Sequence, residues 1–137
     1  MTSHRDSFTS IAVNQFLGFE LQACDETCAV VSFRPQRVHT QEYGVVHGGI
    51  VSALADTAAV YTVHPFLAQS ERMTSIEFKV NFLAGAIPER GDVVARARVV
   101  RRGRTVAVIH VDVHQADTHV ATGLFTYIIL RSAAPSS

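Results

Sequence analysis

The stretch that decides the fold is GVVHGGIVSALAD, residues 44–56. A histidine and a glycine pair, His47-Gly48-Gly49, run into a segment in which Ile50, Val51, Leu54, Ala55, Ala58, Ala59 and Val63 leave no polar face. The pattern predicts a helix over 48–64 that is apolar nearly all round, and such a helix must be wrapped by the rest of the chain. Histidines aside, Asp56 is the only formal charge between Glu42 and Glu71. An ionised carboxylate buried without partners is strongly disfavoured, so Asp56 must meet water, gain hydrogen-bond donors or change its titration. Each outcome is useful to catalysis. The plainer reading sets Asp56 at the rim of the helix, solvated or bonded to a neighbouring strand.

The glycines also allow two readings. They let a helix pack tightly against a strand, or they let backbone approach a ligand while the first-turn N–H groups stay unpaired. An anion or oxyanion is welcome at such a place. Gly48 and Asp56 are separated by eight positions, which on a helix rising about 1.5 Å per residue is about 12 Å. One small reacting group cannot touch both. If the Gly48 N–H polarises a carbonyl while Asp56 attacks it or directs water onto it, the two come from different chains, as a two-fold dimer allows.

The remaining sequence supplies the wrapping. Asp6 or Ser7 can cap a short helix with Phe8, Ile11, Ala12 and Phe16 on its apolar face and Gly18 as its stop. Phe19, Leu21 and Ala23, then Ala29, Val31 and Phe33, alternate with their neighbours as a strand pair that ends at Pro35. Residues 35–46 read as a loop. Ile76, Phe78, Val80 and Phe82 alternate with Glu77, Lys79 and Asn81, and residues 93–100, 105–115 and 119–130 complete the set, with a turn at Pro88-Glu89-Arg90-Gly91. The expected class is α+β: one long buried helix wrapped by a five- to six-stranded, mostly antiparallel sheet. No repeat or linker divides the chain, so residues 1–137 are expected to form a single domain with its core at about 16–131.

Twelve basic and twelve acidic residues cancel, so no overall field draws the chain to nucleic acid or to an anionic membrane. The first residues, MTSHRDSF, hold no apolar signal region, and the longest uncharged stretches are interrupted by Asp56 and His64-Pro65; a cytoplasmic protein is expected. Cys24 and Cys28 are too few for a structural zinc site and read as reduced bystanders, although a cross-strand disulfide is conceivable at their hairpin.

These residues together carry a resemblance. Gln41, five residues before His47-Gly48-Gly49, then Leu54-Ala55-Asp56, the strand TSIEFKVNF over 74–82 and the basic hairpin resemble the hotdog-fold thioesterases of the phenylacetate-pathway (PaaI-like) and 4-hydroxybenzoyl-CoA type. The likeness spans about Phe16 to Leu130. It implies a helix held in an antiparallel sheet, pairing into homodimers and often homotetramers, and an acyl-CoA thioesterase with no cofactor, coenzyme A being part of the substrate. It also implies Asp56 as nucleophile or general base, the Gly48 N–H of the other subunit as oxyanion donor, and Gln41 as the residue that positions water or substrate. Many relatives carry Asn where this chain has Gln41, so the substrate class does not transfer. His47 either orders the loop or bonds near the thioester. Ser75 matches a position where some relatives carry an assisting polar group, but simple strand alternation turns it away from the helix and leaves Thr74 as the alternative.

Thioester hydrolysis suits this equipment, because the carbonyl is already electrophilic and thiolate leaves without strong acid assistance. Arg101, Arg102 and Arg104 around Gly103 could bind coenzyme A phosphates or simply form a solvated hairpin tip. His110, Asp112 and His114 share a strand face at i, i+2, i+4 but read as an ordinary polar sheet face rather than a metal site. The competing readings are a non-catalytic acyl-CoA binding module and a hotdog dehydratase or hydratase, the latter weakened because His47 does not stand at the spacing an Asp/His acid–base pair needs.

Overall fold

The computed structural model describes residues 3–132, so the two ends of the expected 1–137 domain lie outside the described residues. Two short helices lead in, α1 (His4–Ser10) and α2 (Ala12–Leu17), where one was expected. The cap is Ser3, whose hydroxyl accepts the Asp6 N–H at 3.0 Å, and not Asp6 or Ser7. The two helices part at Ile11, whose backbone is extended, and the buried Asn14 amide donates to the Phe8 carbonyl across the break at 3.0 Å. The break also rotates the expected apolar face: Phe8 is buried, but Phe16 is 84% exposed. Gly18 ends α2 in the left-handed conformation (φ 75°), where a side chain is disfavoured.

Strands β1 (Glu20–Cys24) and β2 (Cys28–Phe33) form the expected hairpin, closed by Asp25, whose Oδ1 accepts the N–H groups of Thr27 and Cys28 at 2.7 and 3.0 Å. A register shift between Leu21 and Ala23 interrupts the alternation, so Ala23 is exposed and Cys24 packs against the core. Cys24 pairs with Ala29, not Cys28, and both thiols are free.

The central helix, α3 (Gly48–Val60), is shorter than the expected 48–64. Its last turn closes at Tyr61, whose N–H is shared between the Thr57 and Ala58 carbonyls. The backbone leaves helical geometry at Val63, and a 3-10 turn follows over His64–Phe66, with Pro65 in its first turn where no N–H is needed. The remaining strands are β3 (Glu71–Phe82), β4 (Val93–Arg102), β5 (Val106–Gln115) and β6 (Thr118–Arg131). All six form one antiparallel sheet in the order β1-β2-β4-β5-β6-β3. Helix α3 lies across β2, β4, β5 and part of β6, where Val51, Leu54, Ala55, Ala58 and Ala59 join Val31, Ala95, Ile109, Val111 and Phe125 in one buried core.

Strand β3 departs from its expected role. It is the outermost strand and touches α3 at its Phe82 end, beside Gly48, without wrapping the helix. Ile76, Phe78 and Phe82 remain 55%, 48% and 55% exposed. Among the described residues no helix is long and apolar enough to cross a membrane.

Candidate active site

The two ends of α3 carry different chemistry. At the N-terminal end the His47 side chain caps the helix, its Nδ1 accepting the Gly49 N–H at 2.8 Å. A neutral imidazole that accepts at Nδ1 carries its proton on Nε2, so His47 turns a donor toward solvent. The His47 N–H is itself held by the His39 carbonyl at 2.9 Å, and His39 is tied to Gln36 and Leu17 by its two ring nitrogens. The capping bond separates the glycines. The Gly49 N–H is occupied, whereas the Gly48 N–H has no hydrogen-bond partner among the described residues.

Close packing favours a small residue at both positions. A Cβ on Gly48 would stand 3.2 Å from the Phe82 ring, and one on Gly49 would stand 2.9 Å from His47 Nδ1. Gly48 therefore seats against β3 while its N–H is without a partner among the described residues. A recess of about 340 Å³ opens beside it, lined by Val45, Gly48, Val51, Phe82, Leu83 and Val120 among others. Gln41 stands in the exposed loop before it. Its Oε1 accepts the Tyr43 N–H at 2.8 Å, which leaves the amide NH₂ unpartnered among the described residues.

At the far end, eight residues along, Asp56 is partly buried beside Ala55. It has gained a donor: the Tyr127 hydroxyl on β6 donates to Asp56 Oδ1 at 2.5 Å and lies 3.3 Å from the Asp56 carbonyl oxygen. Burial above all, then the charge of Asp56 and the hydrogen bond to it, pushes the Tyr127 hydroxyl far above the ordinary tyrosine range, so it remains a neutral donor. Sequence reasoning missed Tyr127. The available signal was a hydroxyl on the apolar face shared by Phe125 and Ile129, since a buried tyrosine oxygen requires a partner.

The same register decides between Ser75 and Thr74. Ser75 pairs directly with Tyr127, and paired residues share a face, so Ser75 lies on the helix side of the sheet. Thr74 pairs with Ile128 and lies on the opposite side, which removes it from the Asp56 end of the site. Simple alternation gave the opposite answer because β3 carries a bulge: Ser75 pairs with Tyr127 and Glu77 with Thr126, with Ile76 as the extra residue. Ser75 and Phe78 consequently share a face although three positions separate them, and Phe78 meets the buried Phe125 edge-on at 5.3 Å.

The basic hairpin divides. Arg102 is drawn to Glu71 at 3.8 Å, a carboxylate also held by Arg131 at 2.8 Å. Arg101 and Arg104 are exposed and line a recess of about 330 Å³ with Gly103, Thr105, Val106 and Val108. On the outer sheet face, Asp112 bonds to His119 at 2.8 Å and lies 3.5 Å from His110, while His114 stacks on His119 at 4.5 Å. Asp112 accepts from His119, whereas the Nδ1 atoms of His110 and His114 are buried without a hydrogen-bond partner among the described residues, and no cluster of three or more ligand-type side chains there has the arrangement of a metal site.

The model of one family, the thioesterase superfamily, matches residues 43–122, which contain both ends of α3, Ser75 and the hairpin. The chain is 29% identical over 133 residues to the medium/long-chain acyl-CoA thioesterase YigI of Salmonella typhimurium, covering 85% of this chain and 84% of that one. Among solved structures it is similar to a thioesterase family protein from Silicibacter pomeroyi, with a TM-score of 0.83 and 30% identity over 93% of this chain and 96% of the other. The fold is shared with a mutant form of the phenylacetic acid degradation protein PaaI of Thermus thermophilus, at a TM-score of 0.78 and 24% identity, covering 86% of this chain and 98% of that one.

Proposed function

Because the chain belongs to the thioesterase superfamily, we propose that it hydrolyses acyl-CoA thioesters at a site shared between two copies of the chain, with Asp56 of one and the Gly48 N–H of the other. The observation that carries this reading is the bare helix-side face of β3. Phe82, at one end of the strand, contacts the Gly48 end of α3, and Ser75, near the other end, pairs with the tyrosine that holds Asp56. An edge strand with unpaired main-chain groups and half-exposed aromatics is ready to pair with a second copy. Antiparallel pairing about a two-fold axis near Phe78 brings the Phe82 end of one strand to the Ser75 end of the other. The free amide and the carboxylate, about 12 Å apart within one helix, then meet across the interface.

In the proposed reaction Asp56 acts as general base. Its unoccupied oxygen takes a proton from water while the water oxygen bonds to the thioester carbon. The carbonyl electrons move onto oxygen, which faces the partner's free amide and the positive end of its helix. Collapse of this intermediate breaks the carbon–sulfur bond, and the proton held by Asp56 passes to the departing thiolate. The products are a carboxylic acid and coenzyme A. The chemistry uses no metal or organic cofactor, since a thioester carbonyl accepts attack with a single base and a single oxyanion donor. Ser75 and the Gln41 amide border the reacting group from the two sides.

A medium- or long-chain acyl group is the proposed substrate class. The recess beside Gly48 is walled by Val45, Val51, Leu83 and Val120 and offers apolar contact to a chain whose carbonyl meets the amide. Arg101 and Arg104 are proposed to hold the coenzyme A phosphates.

Thiol release from a series of acyl-CoAs tests the reading directly. Asp56→Ala is expected to lower kcat by about 10²- to 10⁴-fold, the usual worth of general-base assistance. Retention of more than about a tenth of the activity sinks the assignment of Asp56. Stabilisation by acyl-CoA without any release of thiol identifies a binding module instead.

A further inference from the structure

The geometry points to Tyr127 as a positioning residue that selects which oxygen of Asp56 reacts, an inference that rests on the proposed role of Asp56. Three observations carry it. Among the described residues Tyr127 is the only side chain hydrogen-bonded to Asp56, and of the two carboxylate oxygens it bonds to Oδ1. The hydroxyl also lies 3.3 Å from the carbonyl oxygen of the same residue, so it is anchored to the backbone of α3 as well as to the side chain. Tyr127 itself is only 1% exposed, held on β6 between Phe125 and Ile129, which are 0% and 2% exposed. A ring so enclosed cannot swing away, and the carboxylate it grips cannot rotate freely.

The consequence is chemical asymmetry between two otherwise equivalent oxygens. Oδ1 accepts a strong, charge-assisted bond from a phenol that keeps its proton. Oδ2 has no protein donor among the described residues and is the oxygen left to take a proton from water. Tyr127 therefore neither touches the thioester nor exchanges a proton in the reaction. It fixes the orientation of the group that does.

Tyr127→Phe keeps the ring and removes only the hydroxyl. Kinetics of thiol release from an acyl-CoA accepted by the wild type are expected to show kcat reduced by about 10- to 100-fold, with KM unchanged. The same substitution in an Asp56→Asn background has no further effect on the residual rate. Unchanged kcat in Tyr127→Phe, or an equal fractional loss in both backgrounds, overturns the inference and makes Tyr127 a packing residue. If Tyr127→Phe does not fold, 3-fluorotyrosine at position 127 serves instead: its more acidic phenol is a stronger donor to Oδ1, so kcat changes by about twofold or more with KM unchanged, and an unchanged kcat overturns the inference. Full activity in Asp56→Asn alone is a separate outcome, which removes the functional reading on which this one stands.

Discussion

Strands β5 and β3 read alike in sequence and end in different environments. In β5, Ala107, Ile109, Val111 and Val113 alternate with Val108, His110, Asp112 and His114, and every member of the first set is buried under α3 or its flanks. In β3, Phe78, Val80 and Phe82 follow the same period, yet Phe78 and Phe82 stay half exposed. Alternation identifies a face built to be dry but does not say what dries it. For β5 the cover is α3 of the same chain. For β3 the proposed cover is a second copy.

That contrast predicts opposite consequences for the same kind of change. Val111→Asp puts a charge beneath α3 and is expected to cost more than about 4 kcal/mol, a large share of the roughly 5–15 kcal/mol that holds a domain of this size together. Phe78→Lys forfeits the edge contact with Phe125, worth about 1 kcal/mol, and leaves the chain folded. Circular dichroism should show Val111→Asp unfolded or loosened and Phe78→Lys native. In size-exclusion chromatography Phe78→Lys should elute as a monomer without thioesterase activity. A Phe78→Lys chain that is both monomeric and active refutes the shared site.

The second contrast lies within α3, between its two ends. Gly48 occupies the first helical position, where proline is tolerated because its missing N–H would be unpaired anyway, and the preceding His47 already has the extended backbone a proline requires. Gly48→Pro thus removes the proposed oxyanion donor while keeping the helix, and Phe82, half exposed, can yield to the ring. Its expected cost is about 10²- to 10³-fold in kcat. Mixing the Gly48→Pro chain with the Asp56→Ala chain then separates one-chain from two-chain sites. In mixed dimers one of the two sites regains both groups, so random pairing should restore about a quarter of wild-type activity. Recovery no greater than the sum of the parents places both groups in one chain's site and defeats the two-fold arrangement.

The sequence made the helix and the alternating strands legible because burial enforces a period that residues cannot hide. Asp56 was legible for the complementary reason, as a charge where the period allows none. The facing of Ser75 was left open against Thr74 because a bulge is a one-residue change in pairing count with little compositional signature, and it reverses every facing assignment beyond it. Tyr127 was overlooked because tyrosine counts as apolar in a periodicity reading, and only contact with a residue 71 positions away reveals what its hydroxyl does. The fate of Arg102 was hidden likewise, since Glu71 reaches it across the sheet.

Tyr127 also distinguishes the buried Asp56 end from the open Gly48 end through pH. Its hydroxyl is pushed well above the ordinary value of 10.0 by burial first and Asp56 second. The unfolded chain releases this proton near its ordinary value while the folded chain keeps it. Above about pH 10 the unfolded state therefore binds fewer protons, and stability falls as pH rises, by up to about 1.4 kcal/mol per pH unit for this one group. Burial raises Tyr61 as well, so part of the slope belongs there. Chemical denaturation at a series of alkaline pH values should show a shallower decline in Tyr127→Phe than in the wild type. Identical slopes would mean that the hydroxyl is not held as a buried donor.

The smallest effects are expected at the hairpin, where, among the described residues, Arg102 has an ionic partner and Arg101 and Arg104 have none. Arg101 and Arg104 are exposed, so each contact they make with a phosphate is screened by water and salt. Replacing both by Ala should raise KM for acyl-CoA by roughly threefold to tenfold at low ionic strength, leave kcat unchanged, and lose most of its effect at high salt. Arg102→Ala should leave KM unaltered, because its guanidinium is directed at Glu71 and the Arg131–Glu71 pair at 2.8 Å remains to hold the end of β3. Equal KM effects from all three arginines would point to general attraction by a basic tip rather than to a site formed by the recess. A change in KM only in Arg102→Ala would move the coenzyme A contact to the β3 side of the hairpin, next to the edge where the second copy is proposed to pair.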